Sequence, residues 1–229
     1  MIAGGLSLGA AGVALAAAPA SWRHIGLSYL TDPVPRPPAA EARPFAVAEP
    51  WAMTLIRAAE RQIGETLFYD PRYQRIAYPG GDVPRISGVC TDVVIRAYRD
   101  GFGADLQRLV HDDMAANFTA YPKLWGLSRP DSNIDHRRVP NLKVFFARHG
   151  RVLEVSADPA AYRPGDIITM KMPGGQPHIA IVTHRPSGDR LRPEIVHNYG
   201  AGTRLEDALF AYVIDGHFRF DPRAATSRI

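Results

Sequence analysis

The feature of this sequence that most restricts its fold is a change in the apolar pattern near Gly150. Before this glycine, apolar residues recur at helical spacing, and after it they fall in short β-branched segments separated by Pro or Gly. Helices that precede strands, rather than alternating with them, predict an α+β domain with N-terminal helices packed on an antiparallel β-sheet. Twenty prolines and twenty glycines in 229 residues favour such a loop-rich fold over a helical bundle.

The periodicity predicts four helices and five strands, with an irregular stretch at 119–138. The expected helices cover 51–64, 90–101, 103–115 and 140–150. The expected strands lie within 151–155, 166–172, 178–185, 194–200 and 212–220.

The N-terminal fifth of the chain differs in composition from the rest. Its first twenty residues carry no charged side chain and end in Ala18-Pro19-Ala20, which fits a small-x-small cleavage site. Six prolines from Asp32 through Pro50 indicate an extended arm. We therefore expect an exported protein, periplasmic or extracellular, whose signal segment is either cleaved or kept as a membrane anchor. The expected divisions are a signal peptide at 1–20, a Pro-rich arm at 21–49, one domain at 50–222 and a tail at 223–229.

Cys90 is the only cysteine in the chain, so it cannot form an internal disulfide. A free thiol in an exported protein is open to oxidation. Cys90 lies where the second predicted helix begins, and unpaired N–H groups at a helix start stabilise a thiolate. This position predicts an accessible nucleophile with a depressed pKa. The alternative is a small hydrophobic residue in the core.

Acyl transfer by a thiol also requires an imidazole base and a group that orients the base. His178 and His197 lie on two consecutive predicted strands. The side chains of His197 and Asn198 must point to opposite faces of their strand, so only one of them can reach His178. We expect this residue to be His197, with Asn198 as the alternative. Cys90, His178 and His197 could instead bind zinc, although no closely spaced ligand pair supports such a site.

Four motifs resemble those of the NlpC-type, papain-like cell-wall cysteine peptidases, in the same order. "YPGGDVPRISGVCTDVV" resembles their tyrosine–glycine–glycine loop and nucleophile helix, and "YRPGDIITM" their Pro-Gly-Asp turn. "PHIAIV" and "EIVHN" resemble the strands of their catalytic histidine and third polar residue. The match covers about residues 50–220. The whole chain also resembles a bacterial family named only as domain of unknown function 1287, which is related to these peptidases.

The resemblance implies a papain-like, NlpC-type fold and a role for each matching residue. Cys90 would be the nucleophile, His178 the base and His197 the orienting residue. Tyr78 would help to bind the oxyanion together with the backbone N–H of Cys90. Asp92 stands where these peptidases commonly carry glycine, and Val89 where they commonly carry Asp. Asp92 would either place charge in the first helical turn or hydrogen-bond to the facing loop, and the insert at 103–138 has no counterpart.

These observations predict an exported thiol hydrolase that cleaves an amide or peptide bond in peptidoglycan or its peptide stems. It would act as a monomer without cofactor or metal. A non-catalytic cell-wall-binding module and a thiol acyltransferase are the alternatives. The formal charge of +4 is not concentrated in a Lys/Arg block, which argues against nucleic acid as a partner. No stretch beyond the signal segment predicts stable membrane association.

Overall fold

The computed structural model describes residues 46–226. The predicted signal peptide, most of the predicted arm and the last three residues of the predicted tail lie outside this range. Within it, a six-stranded antiparallel sheet and five helices confirm the predicted α+β class. None of the helices in this part of the chain is long and apolar enough to cross a membrane.

The four predicted helices are all present, followed by one short helix near the end. Gly103, not Gly101, ends the second helix, which corrects the predicted boundary. Gly103 has a φ of 66°, a left-handed conformation that glycine adopts without steric cost. The helices are α1 (Pro50–Glu60), α2 (Cys90–Phe102), α3 (Leu106–Ala116), α4 (Val139–His149) and α5 (Pro222–Thr226).

The five predicted strands are also present, and the sheet contains one further strand. This extra strand, β7, was not predicted because it is short and contains a single apolar residue, Leu205. The sheet order is β3-β8-β4-β5-β6-β7, and β1 and β2 form a separate parallel pair. The strands are β1 (Phe68–Tyr69), β2 (Ser87–Gly88), β3 (Arg151–Val152), β4 (Ile167–Lys171), β5 (Pro177–Pro186), β6 (Pro193–Asn198), β7 (Thr203–Glu206) and β8 (Val213–Arg219).

Apolar side chains cover both faces of the sheet. Ile179 and Ile181 of β5 belong to the same buried cluster as Val93 of α2. The alternate residue Ala180 belongs to a second cluster, with Leu209. Full burial of one such aliphatic side chain stabilises the fold by about 1.5–3 kcal/mol. Because α2 packs on β5 and β6, the residue that begins α2 is held against the sheet.

Candidate active site at the start of helix α2

Cys90 is the first residue of α2, and only 3% of its surface is exposed. Its sulfur is contacted by three hydrogen-bond donors, the backbone N–H groups of Ile179 and Thr91 and the hydroxyl of Tyr69. Ile179 directly follows His178 on β5. The thiol therefore lies against the start of the strand that carries the predicted base.

The expectation of an accessible thiol with a depressed pKa is wrong for this structure. Burial raises the pKa of Cys90 to about 11, and the negative charge of Asp92 acts in the same direction. The donors from Ile179, Tyr69 and Thr91 lower this pKa but do not offset the loss of solvent. Loss of solvent raises the pKa of Cys90 by more than the helix start lowers it, so the thiol is neutral at physiological pH.

The pH dependence of alkylation by iodoacetamide measures the pKa of the Cys90 thiol directly. We expect the labelling rate of the folded protein to rise with a midpoint well above about 8.5, the pKa of an unperturbed cysteine. The reason is that only the thiolate reacts and burial disfavours it. Protein unfolded in denaturant is the control and should show the ordinary midpoint. A midpoint at or below the ordinary value in the folded protein would contradict the account of this thiol.

The two histidines of neighbouring strands are hydrogen-bonded to each other. His178 Nε2 lies 2.7 Å from His197 Nδ1, and the rings are nearly perpendicular, at 78°. Both side chains are buried. Burial lowers the pKa of His178 to about 3, and burial, the neighbouring His178 and the charge of Arg204 lower the pKa of His197. Both rings are therefore neutral at physiological pH, and one of them donates the shared proton.

Asn198 does not reach His178. It is fully buried, and among the described residues neither its Nδ2 nor its Oδ1 has a hydrogen-bond partner. In the β6–β7 pairing Asn198 lies opposite Thr203, whereas His197 lies opposite Arg204. Strand alternation thus separates the two side chains as predicted, and it is His197 that faces the His178 ring.

The thiol and the imidazole are not bonded to each other in this structure. Among the hydrogen bonds of residues 46–226, none joins the Cys90 sulfur to the His178 ring. His178 uses Nε2 for its bond to His197, which leaves Nδ1 as the nitrogen available to a reacting group. Contact between sulfur and base therefore requires a local rearrangement of the site.

Tyr78, the expected oxyanion donor, does not lie at Cys90. Its side chain is 42% exposed, its hydroxyl donates to Asp112 at 3.1 Å, and its ring centroid is 4.9 Å from that of His111. The physical reason is the path of the glycine loop. The N–H groups of Gly80 and Gly81 donate to Asp105 and Gln107, so the insert holds this loop against the start of α3.

Tyr69 occupies the position expected of Tyr78. It ends β1, pairs with Gly88 of β2 and places its hydroxyl on the Cys90 sulfur. Burial, and then interaction with the Cys90 side chain, raise the pKa of Tyr69 well above its ordinary value, so the phenol keeps its proton. Tyr69 was not predicted from the sequence because two-residue strands leave no periodicity, and several tyrosines occur in this loop.

Asp92 links the start of α2 to the insert. One carboxylate oxygen accepts from the backbone N–H of Val89 at 2.6 Å, and the two oxygens pair with the guanidinium of Arg137 at 2.9 Å each. Both side chains are buried. The structure contains both roles expected for Asp92, charge in the first turn of α2 and hydrogen bonding to the facing loop.

The insert also forms one wall of a pocket of about 390 Å³ that reaches Cys90. The guanidinium carbon of Arg138 lies 3.9 Å from the ring centroid of Trp125, a cation–π contact. Spacing in the sequence does not reveal this pair, because the two residues come from different turns of an irregular segment. The wall consists of Leu124, Trp125, Ile134, Arg137 and Arg138.

The zinc arrangement considered for Cys90, His178 and His197 is not formed. Across residues 46–226, no three His, Cys, Asp or Glu side chains converge as metal ligands. The facing nitrogens of the two histidines are bonded to each other and do not point at a common position.

Glu206 extends the histidine pair by one residue. His197 Nε2 lies 3.0 Å from Glu206 Oε2, and the other carboxylate oxygen accepts from Arg204 at 3.0 Å. Burial raises the pKa of Glu206 to about 7. Glu206 was not predicted because β7 itself was not predicted. The only signal in the sequence is that Arg204 and Glu206 are two residues apart, the spacing of side chains on one face of a strand.

Fold and site together define an α+β protein with a buried cysteine at a helix start and a buried His–His–Glu chain on the adjoining sheet. The chain belongs to the family described as Domain of unknown function (DUF1287), whose model matches residues 56–220. It is also 50% identical, over 168 residues, to the "Uncharacterized protein YijF" of Escherichia coli (strain K12), a match that covers 73% of this chain and 81% of that protein. The family match contains the whole site, from Tyr69 to Glu206.

Proposed function

We propose that the protein is a thiol hydrolase that cleaves an amide or peptide bond in the peptide stems of peptidoglycan. The observation that carries the proposal is the Cys90 thiol held at the helix start, one residue along β5 from a histidine already bonded to His197. The resemblance to NlpC-type peptidases, with their papain-like fold, supports this reading. The choice of substrate and the exported location rest on that resemblance and on the expected signal segment.

The reaction would begin from two neutral groups rather than from a preformed ion pair. Cys90 Sγ attacks the carbonyl carbon while its proton passes to His178 Nδ1, which is general-base catalysis. The C–N bond then breaks, and the leaving amine takes the proton from His178. Water attacks the resulting thioester, again with His178 as base, and releases the carboxylic acid and the protonated thiol.

The oxyanion would be bound by the Tyr69 hydroxyl and the backbone N–H of Cys90. The first N–H groups of a helix have no intrahelical partner, so the second donor is available. The Tyr69 hydroxyl now donates to the thiol, and it would shift to the oxygen of the substrate as the sulfur moves onto carbon.

Tyr69→Phe tests this role with a matched control in the same loop. We expect it to lower turnover by ~10²-fold, the typical loss when one oxyanion donor is removed. Tyr78→Phe also removes a single tyrosine hydroxyl, but one bonded to Asp112, and it should leave turnover within a few-fold of wild type. Steady-state product release measures both variants. Equal losses in the two, or a loss confined to Tyr78→Phe, would contradict the assignment of Tyr69.

Digestion of purified peptidoglycan tests the proposed function and separates it from its two rivals. Products are identified by mass spectrometry after reaction in ¹⁸O-labelled water. A hydrolase creates a new amine and a carboxyl group that contains ¹⁸O. An acyltransferase instead joins the acyl group to an added amine. A binding module co-sediments with peptidoglycan and yields no product, which would overturn the proposal.

A further inference from the structure

We infer that Glu206 is a positioning residue that sets the tautomers of both histidines and thereby leaves His178 Nδ1 free to accept a proton. The inference rests on the proposed function only for what that nitrogen does in a reaction. The tautomers themselves are a property of the folded protein. Glu206 is not expected to touch the substrate.

The Glu206 carboxylate decides the tautomers because it can only accept hydrogen bonds. Its Oε2 lies 3.0 Å from His197 Nε2, so this nitrogen must carry the proton while Glu206 is ionised. His197 is neutral, and its Nδ1 is then bare. That bare nitrogen lies 2.7 Å from His178 Nε2, which must therefore be the donor. Since His178 is also neutral, its Nδ1 is left without a proton.

The opposite arrangement would disable the base. Were His197 Nε2 bare, its Nδ1–H would donate to His178 Nε2, and the single proton of neutral His178 would sit on Nδ1. A protonated Nδ1 cannot take the proton of a thiol. A single hydrogen bond two residues away thus decides whether His178 can act.

Arg204 fixes the orientation of the Glu206 carboxylate. Its guanidinium donates to Oε1 at 3.0 Å, and a guanidinium has no accepting atom. Arg204 lies opposite His197 in the β6–β7 pairing and Glu206 lies two residues further along β7. Arg204 and Glu206 therefore share the face of the sheet on which His197 lies.

Glu206→Gln turns this arrangement into a test, because an amide has one accepting and one donating end. Arg204 donates to the amide oxygen, so the amide N–H points at His197 Nε2. That nitrogen must then be unprotonated in order to accept the hydrogen bond. We expect both tautomers to invert. We also expect turnover on peptidoglycan to fall by at least ~10²-fold, since a wrong tautomer costs ~10⁴-fold in a Ser-His-Asp triad.

Nitrogen-15 NMR of the imidazole rings of the full chain reads the tautomers without any substrate. At about pH 8.5 the Glu206 carboxyl is ionised, because its pKa is about 7. Resonances are assigned by substituting each histidine singly. Wild type should show protonated Nε2 and bare Nδ1 on both rings, and Glu206→Gln the reverse. Adding Arg204→Leu to Glu206→Gln removes the guanidinium that holds the amide oxygen and should restore part of the wild-type pattern.

Bare Nε2 on His197 in the wild type, or unchanged tautomers in a folded Glu206→Gln protein, would overturn the inference. Thermal unfolding shows that each variant is folded. If the tautomers are as predicted but the protein releases no product, the effect of Glu206 on the tautomers is confirmed and the proposed hydrolase is refuted. Active protein with unaltered turnover in Glu206→Gln would refute the positioning role alone.

Discussion

Cys90→Ser is expected to lower product release from peptidoglycan by at least ~10⁴-fold, the largest effect that the account predicts. Removing the nucleophile of a catalytic triad costs ~10⁶-fold in a well-studied serine protease. Serine preserves the size of the side chain and its contacts with Tyr69 and the Ile179 N–H. Its hydroxyl is far less acidic than a thiol, and His178, whose pKa burial lowers to about 3, is too weak a base to activate it.

The control for Cys90→Ser is that it should fold and bind like the wild type. The substitution replaces one atom in a buried position and keeps its hydrogen-bond donors, so the melting temperature should change by only a few degrees. Co-sedimentation with peptidoglycan should also be retained. A folded Cys90→Ser protein that keeps a tenth of the wild-type turnover would show that the thiol is not the nucleophile.

The second large expected effect is a loss of turnover in His197→Ala that the neighbouring Asn198→Ala does not show. His197→Ala removes the hydrogen bond to His178 Nε2 and should lower turnover by ~10²–10⁴-fold, by analogy with the third member of a catalytic triad. Alkylation of Cys90 should be retained in part, because the thiol keeps its own donors. Steady-state turnover and the rate of iodoacetamide labelling, measured on the same preparations, give the two quantities.

Asn198→Ala is the matched control from the same strand. Its amide has no hydrogen-bond partner among the described residues, so the substitution removes packing only. We expect a loss of about 1 kcal/mol in the free energy of unfolding, with turnover near that of wild type below the melting transition. A loss of turnover in Asn198→Ala as large as in His197→Ala would contradict the assignment of the third residue.

The sequence was sufficient for those features that depend on local periodicity. The stripe of Val93, Val94, Ala97 and Tyr98 predicted the buried face of α2, and all four side chains are inaccessible to solvent. Strand alternation alone placed His197 and Asn198 on opposite faces of β6. Both predictions rest on geometry repeated within one element, which a short stretch of sequence specifies fully.

The sequence was insufficient where contacts between distant segments decide the outcome. A helix start lowers the pKa of a thiol, but burial raises the pKa of Cys90 by more. That burial depends on the contacts of Tyr69 and β5 with Cys90, which are far from it in the sequence. The position of Tyr78 depends on Gly80 and Gly81 bonding to the insert. Glu206 was missed because β7 owes its place to pairing with β6 and not to an apolar pattern of its own.

Titration of the single thiol shows directly whether Cys90 is the nucleophile. Because Cys90 is the only cysteine in the chain, a methanethiosulfonate reagent that adds one S-methyl group modifies a single sulfur atom. We expect the turnover left on peptidoglycan to equal the unmodified fraction of Cys90, measured by intact-protein mass spectrometry, and we expect a reducing thiol to restore full turnover. Full turnover by protein whose Cys90 is completely modified would contradict the account.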